Sequence, residues 1–178
     1  MTTRTEVEIR LVEPADADAL RAFFGRVPEG DRTFFREDVL ADGWRSDPSE
    51  HRWIAMDGDD VVGSLVIRCG VAWSSHVGEV RIVVDPDRRR EGIGRALARL
   101  ALVEGVGLGM QKLVVEVVAA QESTVAMFTS LGFEAEALLK SHVRDGAGQV
   151  HDLFVMAHFV DDTWSTLTTT GIADLVAD

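Results

Sequence analysis

The chain has no tyrosine, one cysteine and two lysines among its 178 residues. Without tyrosine, no phenolic hydroxyl can give or take a proton anywhere in the molecule. With Cys69 alone, no internal disulfide framework can form. A lone thiol of this kind reads as a small buried residue rather than a nucleophile. No apolar run reaches the 18 residues a membrane-spanning helix needs, so no membrane partner is expected. The opening segment MTTRTEVEIR lacks an apolar core of the secretory kind, so no signal peptide is expected and a cytoplasmic protein is the default. There is no G-x-S-x-G elbow for a serine nucleophile. The five histidines (51, 76, 142, 151 and 158) show no metal spacing such as H-E-x-x-H, so no metal is expected.

Positive charge is also scarce. Eighteen Lys+Arg stand against 30 Asp+Glu, a net charge of −12. A nucleic-acid partner calls for the opposite balance. The acidic excess serves solubility and suits attraction of a cationic amine. What is abundant is apolar: 46% of the residues, enough for the core of one domain of this length.

The order of elements reads β α α β β β α β α β β. VEIRLV (7–12) alternates as a strand. Pro14 opens a helix whose Leu20, Phe23, Phe24 and Val27 share one face. DRTFFREDVL (31–40) reads as a second short helix. HRWIAMDGDDVVGSLVIRC is a hairpin about Asp57-Gly58. GEVRIVVD (78–85) is a strand, followed by a glycine turn and a helix from Ile93 to about Gly107 that Gly105, Gly107 and Gly109 are expected to end. KLVVEVVAA (112–120) is a central strand. A short helix over 124–131, with Ser123 as its expected cap, stops at Gly132. Two last strands flank Asp145–Gly148, with His142 and His151 placed to pair across the hairpin. The domain spans 1–160. In the extension 161–178, Trp164, Leu167, Ile172 and Leu175 set one face of a short helix that packs on the body or on a second subunit. The chain is expected as a monomer or homodimer.

The stretch DPDRRREGIGRAL (85–97) concentrates arginine in an otherwise acidic chain. Strand, glycine turn and helix together make an anion site. The first helical N–H groups lack intrahelical partners and the macrodipole is positive there. Arginine adds donors shaped for phosphate oxygens. A phosphate or pyrophosphate is therefore expected near residues 89–95. No Lys-Ser/Thr follows, so the turn is not a P-loop. Leu97 stands where a dinucleotide fold wants a small residue, and the opening βαβ of that fold is missing.

Arg89-Arg90-Glu91-Gly92-Ile93-Gly94, after VVDP, resembles the [Q/R]-x-x-G-x-[G/A] signature of the GNAT superfamily of acyl-CoA N-acyltransferases. One strand later, AQESTVAMFTSLGF (120–133) is similar to the family's second block, usually N-x-x-A followed by Y-x-x-L-G-F. The resemblance runs over about 7–160. It implies an α/β (α+β) fold: a mixed, mostly antiparallel central sheet splayed between strands 4 and 5 and flanked by helices. It implies acetyl-CoA as co-substrate. The amides of Arg90, Glu91, Gly92, Ile93, Gly94 and Arg95 would hold the pyrophosphate, with Arg89 assisting. The main chain of Ile82, Val83 and Val84 would pair with the pantetheine arm, Gln121 could reach it, and Phe128 counts among the cofactor-binding positions.

Transfer of an acyl group to an amine needs a base for the amine, donors for the oxyanion and a proton for the departing thiolate. Glu79, on the strand before the turn, is the first candidate base and Glu116 the second; each can equally form an ion pair, Glu79 with Arg81. The family's proton-donating tyrosine is Phe128 here, which cannot donate, so Ser123 or a water takes that role. The leading expectation is an N-acetyltransferase acting by direct attack of a small-molecule or protein amine in a ternary complex. The alternatives are a non-catalytic acyl-CoA-binding module and, less consistent with Leu97, a nucleotide-binding domain. WSSH (73–76) and His76 would sit near the acceptor cleft or simply cap the sheet.

Overall fold

The computed structural model describes residues 7–28 and 48–160. The expected helix over 31–40 and the extension 161–178 lie outside the described residues. Seven strands form one sheet: β1 (Glu8–Leu11), β2 (Glu50–Asp57), β3 (Asp60–Cys69), β4 (Val77–Val84), β5 (Lys112–Val118), β6 (Glu134–Arg144) and β7 (Val150–Phe159). Among the described residues three helices flank it: α1 (Ala17–Arg26), α2 (Ile93–Gly107) and α3 (Glu122–Ser130). The strand order is β1-β2-β3-β4-β5-β7-β6. Each neighbouring pair is antiparallel except β4 and β5.

The two sheet faces carry separate apolar clusters. On one face α2 and α3 cover Trp53, Leu65, Ile67, Val80, Leu113 and Val115. On the other, Leu20, Phe23 and Phe24 of α1 cover Ile54, Met56 and Val61. This division follows from the period-2 alternation of strand side chains. Helix α2 lies unusually close to the sheet at both ends. A Cβ at Gly63 would come 3.0 Å from Ile93 Cγ2, and one at Gly105 would come 2.8 Å from Leu113 Cδ1. The helix ends at Gly107, as expected, with Gly109 at φ 73° just beyond it; Gly105 lies inside α2 and serves close packing against Leu113. This seating fixes where the N-terminus of α2 stands relative to β4.

β7 sits between β5 and β6, and much of its length is apolar and buried or half-buried. Leu153, Met156, Ala157 and His158 are buried, whereas β6 is mostly exposed and suits the edge. The final hairpin turns where expected. Asp145 accepts hydrogen bonds from the N–H of Ala147 and Gln149. His151 pairs with Asp145, Nε2 to Oδ2 at 2.8 Å, rather than with His142. The hydrogen bond from His151 holds the Asp145 carboxyl below its ordinary range.

Pro14 opens a 3-10 turn (Pro14–Asp16) that leads into α1, so the helix proper starts three residues later than the proline. Asp16 anchors this entry. Arg10 donates to both of its oxygens, at 2.8 and 2.7 Å, and Glu13 N–H adds a third bond at 2.7 Å. The Arg10 hydrogen bonds, chiefly, lower the Asp16 pKa. A carboxyl whose folded-state pKa is depressed contributes stability that is present above the unfolded value and lost as pH falls through the folded one. Chemical-denaturation midpoints should therefore decline below the ordinary aspartate range, and Asp16→Asn should flatten that decline. An unchanged acid slope in the variant would show that Asp16 is not responsible.

Candidate active site

The single parallel pairing among the described strands is short. Val77 faces Lys112, Gly78 faces Leu113 and Glu79 faces Val114, and there it stops. Beyond Glu79, β4 continues along β3 as far as Val84, while β5 continues along β7 as far as Val118. The sheet thus opens into a V whose edges are the main chains of Val80–Val84 and Val115–Val118. Backbone groups along such an edge can be satisfied by an extended, amide-bearing ligand added like a strand. Ile82 and Val84 turn their side chains toward α2 and Val83 toward α1, so their main chain lines the opening.

At the end of β4 the chain turns through a 3-10 turn (Pro86–Arg88) into α2. Two residues on the way have positive φ: Arg90 at 66° and Gly92 at 90°. Gly92 is the N-cap of α2, with no side-chain cap. Ile93 is buried and pins the first turn to the sheet. The first N–H groups of α2, on Ile93, Gly94 and Arg95, therefore have no intrahelical partner and carry the positive end of a fifteen-residue dipole. Gly94 adds no side chain over them. This set of donors fits a phosphate or pyrophosphate group. Arg90 is a non-glycine residue in the left-handed region, which costs about 1–2 kcal/mol. Arg90→Gly should relieve part of it and raise the thermal midpoint by about 2–4 °C, the shift about 1 kcal/mol produces at this length. A lower midpoint on thermal denaturation would contradict that.

The three arginines have different surroundings. Arg88 is engaged by Asp57 and Glu91. Arg89 and Arg90 are exposed. Arg95 donates to Ser130 Oγ at 2.9 Å and so ties the first turn of α2 to the end of α3.

Glu79 and Glu116 stand on one face of the sheet. Glu79 is registered with Val114, and Glu116 is two residues further along β5. They flank the V on the α1 side. Glu79 is half-buried and accepts from Arg81 Nε at 2.9 Å. Beside it runs a charged row that the motifs do not mark. Arg68, registered with Glu79, donates to Glu50 at 2.6 Å, and Glu50 also holds Arg52 at 3.1 Å. Burial pushes the Arg52 guanidinium below its ordinary pKa, against the opposing pull of Glu50. The signal was available: Glu50-x-Arg52 and Glu79-x-Arg81 place charges at period 2, on one strand face.

The second block also takes its place by the V. Gln121 is the N-cap of α3 immediately after β5, its carbonyl accepting from the N–H of Thr124 and Val125. Ser123 does not cap the helix. Those two bonds start α3 at Glu122, which leaves Ser123 exposed in its first turn. Phe128 is buried, its ring edge-on to Phe133 at 5.1 Å between centroids. Phe133 stacks at a tilt on His158, whose Nδ1 donates to the Gly132 carbonyl at 2.9 Å. His76 is exposed, and its carbonyl accepts from the N–H of Gln111 and Lys112 where β4 and β5 begin. Cys69 is partly buried, and burial raises its thiol pKa, which disfavours the nucleophilic thiolate.

Known proteins share this fold. The chain is 34% identical over 76 residues to the [ribosomal protein bS18]-alanine N-acetyltransferase of Escherichia coli, covering 43% of this chain and 51% of that protein. It therefore spans about half the length of the curated relatives it matches. Its fold superposes on a GNAT-family acetyltransferase from Streptococcus pneumoniae with a TM-score of 0.75 at 21% identity, over 86% of this chain and 99% of the other. The spermidine N-acetyltransferase of Vibrio cholerae, solved with CoA and spermine, gives 0.73 at 16% identity, over 90% and 99%. Residues 16–133, from the start of α1's approach to the end of the second block, match the sequence model of the acetyltransferase (GNAT) family. A sheet that opens between β4 and β5, with an uncapped helix at its mouth, is what that match leads one to look for, and the chain belongs to the GNAT family of acetyltransferases.

Proposed function

We propose that the protein is an acyl-CoA-dependent N-acetyltransferase that transfers the acetyl group of acetyl-CoA to a primary amine by direct attack in a ternary complex. The observation that carries this reading is the V itself, with the glycine turn and bare helix end at its mouth. In this reading the amides of Arg90–Arg95 hold the pyrophosphate, with Arg89 assisting. The main chain of Ile82–Val84 pairs with the pantetheine amides, and Gln121 reaches the same arm. Acetyl-CoA supplies an acyl thioester, already activated, so no protein nucleophile is needed.

Glu79 acts as general base on the acceptor amine, directly or through water, with Arg81 orienting its carboxylate. Glu116 is the alternative on the facing strand. Backbone donors at the V offer hydrogen bonds to the developing oxyanion. Phe128 supplies no proton; its ring belongs to the core under the second block. Ser123, exposed at the start of α3, or a water protonates the departing thiolate.

The acceptor is a cationic amine, small or on a protein, which the net charge of −12 attracts. A protein alanine amine and spermidine, named for the relatives, are two members of that class. The test is calorimetric titration with acetyl-CoA, followed by thiol release across a panel of amines. Tight binding and amine-dependent thiol release are expected. Absence of binding overturns the reading. Binding without release for any amine would favour a non-catalytic CoA-binding module.

A further inference from the structure

Arg88 has a different role from its neighbours Arg89 and Arg90. Its Nη1 donates to Asp57 Oδ2 at 2.6 Å and its Nε to Glu91 Oε2 at 2.9 Å. Asp57 ends β2, at the turn into β3, and Glu91 precedes the N-cap of α2. One guanidinium therefore bridges the hairpin turn and the mouth of the helix. The backbone directs it there. Arg88 N–H donates to the Asp85 carbonyl at 2.9 Å, closing the 3-10 turn. Asp85 is buried and uses both carboxylate oxygens: one accepts from Asp87 N–H at 3.1 Å and the other from Arg26 Nε at 3.1 Å. Arg26 reaches on to the Val61 carbonyl at 2.7 Å. The segment that follows β4 is thus tied to α1 on one side and to the β2–β3 turn on the other.

Glu91 lies within the phosphate motif, one residue before Gly92 and the bare amides of α2. A carboxylate there repels phosphate, and the hairpin turn adds Asp57 and the exposed Asp59 and Asp60. Paired with both Asp57 and Glu91, Arg88 draws the Glu91 carboxylate toward the hairpin and offsets its charge. A guanidinium satisfied by two carboxylates is also poorly placed to donate to a phosphate as well.

Resting on the acyltransferase reading above, we infer that Arg88 is a positioning residue for CoA binding: it clamps Glu91 to the Asp57 turn and shields the pyrophosphate site from that carboxylate. Its effect on the ligand passes through Glu91 rather than through contact with phosphate.

Calorimetry with CoA on the full chain separates this from direct contact. Arg88→Gln should weaken CoA binding about tenfold. Adding Glu91→Gln should restore most of that loss, because the charge that Arg88 offsets is then gone. The Arg88→Gln deficit should also shrink as salt is raised toward about 0.5 M, as screening replaces the lost guanidinium. Asp57→Asn, which frees only one end of the clamp, should weaken binding by a smaller factor. It also carries the test if Arg88→Gln fails to fold. A merely structural role would lower the thermal midpoint without rescue by Glu91→Gln. A double variant as weak as Arg88→Gln, or Arg88→Gln and Asp57→Asn binding like the unaltered chain, overturns the inference alone. No CoA binding by the unaltered chain overturns the acyltransferase reading and the clamp with it.

Discussion

Gly94→Trp removes CoA binding while leaving the fold intact, and Gly94→Ala leaves both nearly unchanged. Position 94 lies in the first turn of α2, among the amides that have no intrahelical partner. A Cβ there meets one atom, Val84 Cγ2, at 3.4 Å, an ordinary contact that alanine tolerates. An indole at the same place extends over the amides and the end of β4. It fills the space a pyrophosphate needs and turns donors meant for an anion toward an apolar surface. The expected loss is at least about 100-fold in CoA affinity, or about 2.8 kcal/mol. Calorimetry reads the affinity and a thermal melt reads the fold. Wild-type affinity in the tryptophan variant would place the pyrophosphate elsewhere.

Glu79→Gln should lower kcat by about 100-fold to 10,000-fold, the usual contribution of a general base, with CoA affinity retained. Glutamine keeps the shape and can still accept from Arg81 but cannot take a proton from the amine. The carboxylate lies one step before the strands part, on the same face as Glu116. Steady-state rates with a saturating amine, beside CoA titrations, give the answer. If Glu79→Gln turns over normally and Glu116→Gln does not, the base is on β5. If both turn over normally, neither carboxylate is the base.

Much of the fold was legible because its determinants are local. Asp57-Gly58 turned as expected, with Gly58 at φ 61°, since a tight hairpin needs that backbone and glycine supplies it. Leu20, Phe23 and Phe24 were read from helical spacing as one face, and they form the core of the α1 side. Local rules failed where a packing contact or a competing local bond outranked them. Gly105 resembles a terminator, yet it lies within α2, two residues before its end, and its missing side chain leaves room for Leu113. Ser123 resembles a cap, yet the Gln121 carbonyl starts α3 earlier.

The site divides in the same way. The motif Arg89–Gly94 was visible because backbone donors and glycines recur at fixed spacing whatever surrounds them. The fate of each side chain was not. Arg88 and Asp57 are 31 residues apart, and Arg26 and Asp85 are 59 apart; no local pattern pairs them. Arg68 meets Glu50 only because β2 and β3 register as they do.

By itself, then, the sequence determined the order of the elements among the described residues, the motif from which an anion-binding turn is expected, and the absence of any tyrosine. These depend on residue type and short-range spacing. Only the tertiary structure decided where β4 and β5 part, which arginine faces its own carboxylates, and that Phe128 lies in the core. Those depend on which distant groups packing brings within reach of one another, and hydrogen bonds and ion pairs act over only a few ångströms.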